Sequence, residues 1–137
     1  MHTDPTLRVL IVDDTRVLRE LLALTVENDD RFSLAGCAAD GAQAIRLMEQ
    51  VQTDAIILDL QMPEMDGLTA LPRLRQLCPD AVIAAHSFDG EALERAVALG
   101  ADLTVAKGAG LDELLDAIVV GRETRRQLHS SEKSSAA

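Results

Sequence analysis

A doubly wound α/β fold, a parallel sheet covered by helices on both faces, is the class this sequence predicts. Three observations point to it. Five short apolar runs alternate with five segments of helical periodicity. The runs are continuous rather than alternating, which is the pattern of strands buried on both faces. The length, 137 residues with 47% apolar side chains, suits one domain with a substantial core.

The first run, Leu7 to Val12, is rich in β-branched residues and stops abruptly at Asp13-Asp14. Arg31 to Cys37 is a weaker second run. Asp54 to Asp59 holds Ala-Ile-Ile-Leu and makes a strong third. Ala81 to Ala85 gives the fourth and Asp102 to Ala106 the fifth. Between them, Leu18, Leu21, Leu22 and Val26 recur at helical spacing, as do Ala42, Ile45, Met48 and Val51. The third helix starts near Asp66-Gly67 with Leu68, Leu71 and Leu74 inward; Pro72 inside it predicts a kink or a loose first turn. Leu93, Ala96 and Val97 form the fourth helix before Gly100, a helix stop. Leu111, Leu114, Leu115, Ile118 and Val119 form the fifth and cleanest stripe. Five β–α units in one small domain favour the flavodoxin-like (βα)5 sandwich with strand order 2-1-3-4-5. Residues 1–6 read as an N-terminal arm and 7–121 as the domain. In 122–137, Arg122 to Leu128 extends the last helix, and the Ser/Ala/Lys-rich stretch from His129 to Ala137 is expected to be disordered.

Composition narrows the function. The chain has two Phe and neither Tyr nor Trp, which argues against a base-stacking or cation–π recognition surface. A formal charge of −10 opposes nucleic acid and anionic membrane. The cysteines, Cys37 and Cys78, lie far apart among apolar residues and read as small core hydrophobes. Met1 to Thr6 lacks an apolar signal region, and no run approaches the length of a membrane span, so a cytoplasmic location is expected.

Ligands of a doubly wound sheet bind beyond the carboxyl ends of the strands, where the strand order reverses. For order 2-1-3-4-5 that place lies between strands one and three. Those strands end in Asp13-Asp14 and Asp59. Three gathered carboxylates repel one another, and a divalent cation relieves the conflict. Oxygen donors suit Mg²⁺ or Mn²⁺. Asp14 and Asp59 are the expected direct ligands, with Asp13 through a water and the backbone carbonyl of Gln61 adding another oxygen. Lys107 ends the fifth strand and reaches the same rim, a point charge suited to a phosphoryl oxygen. Carboxylate nucleophile, divalent metal and lysine together describe an aspartyl-phosphate site.

At these residues the chain resembles the response-regulator receiver family, from about Leu7 to Gly121. The resemblance rests on Val9-Leu10-Ile11-Val12-Asp13-Asp14 and on the stretch Ile57-Leu58-Asp59-Leu60-Gln61-Met62-Pro63-Glu64-Met65-Asp66-Gly67. It also rests on Asp40-Gly41-Ala42-Gln43-Ala44 and on Gly100-Ala101-Asp102 through Lys107. It implies that Asp59 accepts a phosphoryl group from a phosphohistidine of a sensor histidine kinase or phosphotransfer protein. It implies Mg²⁺ at Asp13, Asp14 and Asp59, and phosphoryl contact by Lys107. It further implies a target protein or output domain, read through a surface around the fourth helix, fifth strand and fifth helix. A homodimer is left open. Phe32-Ser33-Leu34-Ala35-Gly36 and Gly67-Leu68 are similar to stretches of receivers joined to DNA-binding or methylesterase domains.

The family relay uses a hydroxyl at the end of the fourth strand and an aromatic on the fifth. Counting back from Lys107 puts these positions on Ala85 and Thr104, so both groups are missing. Ser87 carries a hydroxyl two residues farther along the loop. His86 is a second donor for a phosphoryl oxygen; in a loop it is otherwise a partly exposed histidine. The lost relay raises an alternative: a receiver-like binding module that works without phosphorylation. A phosphatase using an Asp nucleophile is disfavoured, because its general acid would fall on Gln61. A flavin-binding site is disfavoured because Asp13-Asp14 repels phosphate.

Overall fold

The computed structural model describes residues 6–62 and 65–135. Strands β1 (Leu7–Val12), β2 (Phe32–Ala38), β3 (Ala55–Asp59), β4 (Val82–Ser87) and β5 (Leu103–Ala106) alternate with α1 (Arg16–Glu27), α2 (Gly41–Met48), α3 (Gly67–Leu77), α4 (Gly90–Leu99) and α5 (Leu111–Ser135). All neighbouring strands run parallel, in the order β2-β1-β3-β4-β5. The predicted fold class and strand order are those observed.

The period of two along each strand divides the core. Leu10, Val12, Ile56, Leu58, Ile83 and Ala85 face α2, α3 and α4, against Ala44, Ala70, Leu71, Leu74, Ala92 and Ala96. Val9, Ile11, Ala55, Ile57, Val82 and Ala84 face the other way, onto Leu22 and Val26 of α1 and Leu114, Leu115 and Ile118 of α5. Aliphatic side chains and alanines fill most of both layers, with Phe32 the one aromatic in the second. The alanines let helices approach the sheet closely, which compensates for the lack of aromatic bulk.

Three helices start in the same way. Asp40, Asp66 and Asp89 cap α2, α3 and α4, each carboxylate accepting backbone N–H groups of the first turn, and a glycine follows each. Gly100 ends α4 in the left-handed conformation, φ +119°, with its N–H returned to Val97.

Four local expectations are corrected. Helix α3 runs continuously through Pro72, which lies on the solvent side, where water can serve the carbonyl its ring leaves without a donor. Strand β4 extends past Ala85 to Ser87; the polar His-Ser pair ends the apolar run, yet pairing with β3 and β5 continues through it. Cys37 is exposed rather than core, because β2 is an edge strand. The tail expected to be disordered from His129 is helical to Ser135, since no Gly or Pro after Gly121 interrupts a run of helix-compatible residues. Residues 1–5 of the predicted arm, Pro63, Glu64 and residues 136–137 lie outside the described residues.

Asp102 fastens the end of the sheet opposite the carboxylate cluster. Its side chain accepts the buried Ile83 N–H at 2.8 Å and pairs with Arg75 and Arg125. Arg125 also donates to the Pro79 carbonyl, tying α5 beyond residue 121 to the domain. Asp102→Ala is expected to cost about 1–3 kcal/mol, the penalty of leaving a buried N–H without an acceptor. Urea denaturation measures it.

Candidate functional site

The same alternation that builds the core aims the polar groups. Asp13, Asp59, His86 and Lys107 each stand two residues past a side chain of the α1/α5 layer, namely Ile11, Ile57, Ala84 and Val105. All four therefore emerge on one face at the carboxyl end of neighbouring strands β1, β3, β4 and β5. Asp13, Asp59 and His86 are buried.

Asp13, Asp14 and Asp59 each bring a carboxylate oxygen within 4.8 Å of the others. Asp13 Oδ1 accepts the Thr15 N–H at 2.8 Å, at the start of α1, where the helix dipole favours a negative group. Asp59 Oδ1 accepts the Gln61 N–H at 3.1 Å. The other oxygens, Asp13 Oδ2 and Asp59 Oδ2, have no hydrogen-bond partner and are buried. Lys107 Nζ stands 3.2 Å from Asp13 Oδ2 and 3.2 Å from Asp59 Oδ1, with its side chain 9% exposed. The contact to Asp13 Oδ2 is thus an ion pair without hydrogen-bond geometry. Burial raises Asp59 to about 6, and the charge of Asp13 adds to the rise against the Gln61 N–H and Lys107.

One lysine, paired with two of the three carboxylates, leaves the corner with excess negative charge and with Asp59 Oδ2 uncontacted. An all-oxygen donor set of this kind fits a hard divalent cation such as Mg²⁺.

The positions suggested for the relay are distributed differently. Ala85 pairs with Leu58 and belongs to the α2–α4 layer, so its side chain faces away from Asp59. Thr104, its partner on β5, is exposed on that same far face. Ser87 is buried, and its hydroxyl accepts the Asp89 N–H at 3.1 Å within its own turn. The residue opposite Asp59 is His86. It is 1% exposed, not a loop histidine, and neither ring nitrogen has a partner. Burial, then the charge of Lys107, lowers it to about 4, so the ring is neutral at pH 7.

Phe88, which the sequence did not single out, is 78% exposed and covers Lys107, whose Nζ lies 5.8 Å from the ring centroid. Its exposed place directly after a polar pair gave no periodic signal. Gln61 Nε2 reaches Asp89 Oδ2 at 3.3 Å, linking the turn after Asp59 to the cap of α4. Among the described residues no helix is long and apolar enough to cross a membrane.

Comparison with known proteins agrees with this geometry. The model of the response regulator receiver domain matches residues 9–119. The protein-glutamate methylesterase/protein-glutamine glutaminase of Maricaulis maris is 43% identical over 98 residues, covering 69% of this chain and 24% of that protein. The enzyme of that name from the group 3 operon of Cereibacter sphaeroides is 36% identical over 135 residues, covering 90% of this chain and 37% of that protein. The chain thus spans well under half the length of these relatives. The response regulator domain of Thermotoga maritima CheB superposes with TM-score 0.78 at 26% identity, over 87% of this chain and 98% of that one. A LuxR-family response regulator from Aurantimonas sp. SI85-9A1 gives 0.77 at 28% identity, over 95% and 99%. A CheY-like receiver from Methanospirillum hungatei JF-1 reaches 0.81 at 19% identity over 90% and 98%, a similarity of fold. With the family matched across most of its length, and its acidic corner at the predicted strand ends, the chain belongs to the response-regulator receiver family of two-component systems.

Proposed function

We propose that this chain takes a phosphoryl group onto Asp59 from a phosphohistidine of a sensor kinase or phosphotransfer protein and transmits it as a change in protein–protein contact. The observation that supports this reading is the state of Asp59. Its Oδ1 is held by the Gln61 N–H and Lys107, while its Oδ2 has no partner. A carboxylate with one oxygen fixed and one free is positioned for attack. In the transfer, Oδ2 bonds to phosphorus, the P–N bond of the donor breaks, and its electron pair returns to the donor imidazole.

Lys107 stands beside both Asp13 and Asp59 and neutralises oxygens of the incoming group. A divalent cation held by Asp14 and Asp59, with Asp13 through a water and the Gln61 carbonyl, would neutralise the carboxylates and the charge of the transferring phosphoryl group. Above pH 6 Asp59 is mainly ionised, the form that attacks. The effector, joined to the receiver or separate, belongs to the same reading; the esterase and glutaminase activities in the relatives' names are theirs.

Incubation with Mg²⁺ and acetyl phosphate is expected to add one phosphoryl group by intact mass, on a peptide containing Asp59. The addition is absent in Asp59→Asn. A wild-type chain of unchanged mass would favour a phosphorylation-independent binding module instead.

A further inference from the structure

His86 is a buried polar side chain to which neither the fold nor the transfer chemistry yet gives a role. It is the register partner of Asp59 across β3 and β4, on strands that lie about 4.8 Å apart. Its side chain shares the α1/α5 face with Asp59, because Ile57 and Ala84, two residues earlier, are also partners and both pack in that layer. The ring is within reach of the charges of Lys107 and Asp13, and both its nitrogens lack partners. Buried polar groups are normally satisfied, and an idle imidazole inside a domain points to a partner that arrives later.

A neutral imidazole offers one N–H donor and one lone pair. Asp59 Oδ2 is idle too, but the two groups make no hydrogen bond as they stand. A phosphoryl group on Asp59 adds strong acceptor oxygens to the side of the sheet that His86 faces. The neighbouring candidates for a donor on β4 are disposed elsewhere. Ala85 has no polar atom and faces the opposite layer, and Ser87, two residues farther along β4, points to the same side as Ala85.

We propose that His86 is a phosphoryl-contact residue, its ring N–H donating to an oxygen of phospho-Asp59 while Lys107 neutralises the group from the β5 side. This rests on Asp59 being the acceptor. The donor missing from Ala85 is thereby supplied by the next residue, which points into the site because β4 continues through it.

The test uses the full chain with histidine labelled by ¹⁵N. Addition of Mg²⁺ and beryllofluoride, a phosphoryl mimic, is expected to shift a His86 ring nitrogen and to slow exchange of its N–H with water. His86→Leu, which keeps bulk without a donor, is expected to lower the rate of phosphorylation by acetyl phosphate about tenfold or more. His86→Gln, whose amide can donate, is expected to recover most of that rate. Ring resonances that stay unmoved, or a His86→Leu chain that phosphorylates at the wild-type rate, overturn the contact. If Leu at 86 prevents folding, the ring resonances of the wild-type chain decide alone. A wild-type chain that takes no phosphoryl group overturns the acceptor reading and this contact with it. One that takes the group normally, while the ring is indifferent, overturns the contact only.

Discussion

Lys107→Met is expected to destabilise the protein by about 3–5 kcal/mol at pH 8. Lys107 sits 3.2 Å from a carboxylate oxygen of Asp13 and of Asp59, whose side chains are 1% and 2% exposed. Methionine keeps most of the apolar stem, so what is lost is the charge. Two buried carboxylates are then left facing each other without a cation. The effect depends on pH in a definite direction. Burial and Asp13 hold Asp59 at about 6, above its ordinary 3.8. A carboxyl raised in the folded state stabilises the fold fully below about pH 4, and that contribution is lost as pH rises through about 6. For the wild-type chain this contribution amounts to roughly 2–3 kcal/mol. Lys107→Met moves Asp59 higher still, so the mutant's deficit is greatest at pH 8 and shrinks at pH 5, where Asp59 carries a proton. Mg²⁺ acts oppositely. It binds the gathered carboxylates of the folded state and is expected to raise stability more at pH 8 than at pH 5, where protons compete. Urea denaturation of both proteins at the two pH values, with and without MgCl₂, measures all of this. A loss below about 1 kcal/mol at pH 8 would show that solvent screens the pair as it does at a surface.

The carboxylate corner was legible in the sequence because its logic is topological. Asp13-Asp14 and Asp59 each end an apolar run, and the strand order places those ends together. Lys107 follows by the same rule. His86 was harder to place. Counting along the chain from Lys107 pointed to Ala85, whereas facing Asp59 is decided by register across β3 and β4 and by the period of two within β4. Neither is visible until the strand is known to continue through a polar pair. Phe88 was illegible for a different reason: an exposed aromatic over a lysine belongs to no periodicity. The far end of α5 was misread because low-complexity Ser, Lys and Ala look alike in a disordered tail and in a helix that nothing stops.

Gly67→Ala is expected to cost about 3 kcal/mol, at the upper end for overpacking, and to impair phosphorylation of Asp59 as well. The first residue of α3 packs on the end of β3. A Cβ at Gly67 would lie 2.2 Å from the Asp59 carbonyl oxygen, 2.8 Å from Leu60 Cα and 2.9 Å from the Asp59 carbonyl carbon. All three are backbone atoms, so no side-chain rotation relieves the clash. Either α3 retreats, straining its Asp66 cap, or the end of β3 shifts and carries the acceptor away from Lys107. Gly90 is the internal control. It too is the first residue of a helix, follows an Asp cap, and has φ outside the left-handed region, but nothing lies within 4 Å of where its Cβ would be. Gly90→Ala is therefore expected to stabilise by about 0.4–1 kcal/mol through the unfolded chain. Local sequence is alike at the two sites, Asp-Gly at a helix start, so any opposite change in urea midpoint isolates the tertiary contact between α3 and the Asp59 backbone. Two substitutions of the same sign would show that the helix start yields without moving the strand. The acceptor would then be held by its own turn, through the Gln61 N–H, rather than by the packing of α3.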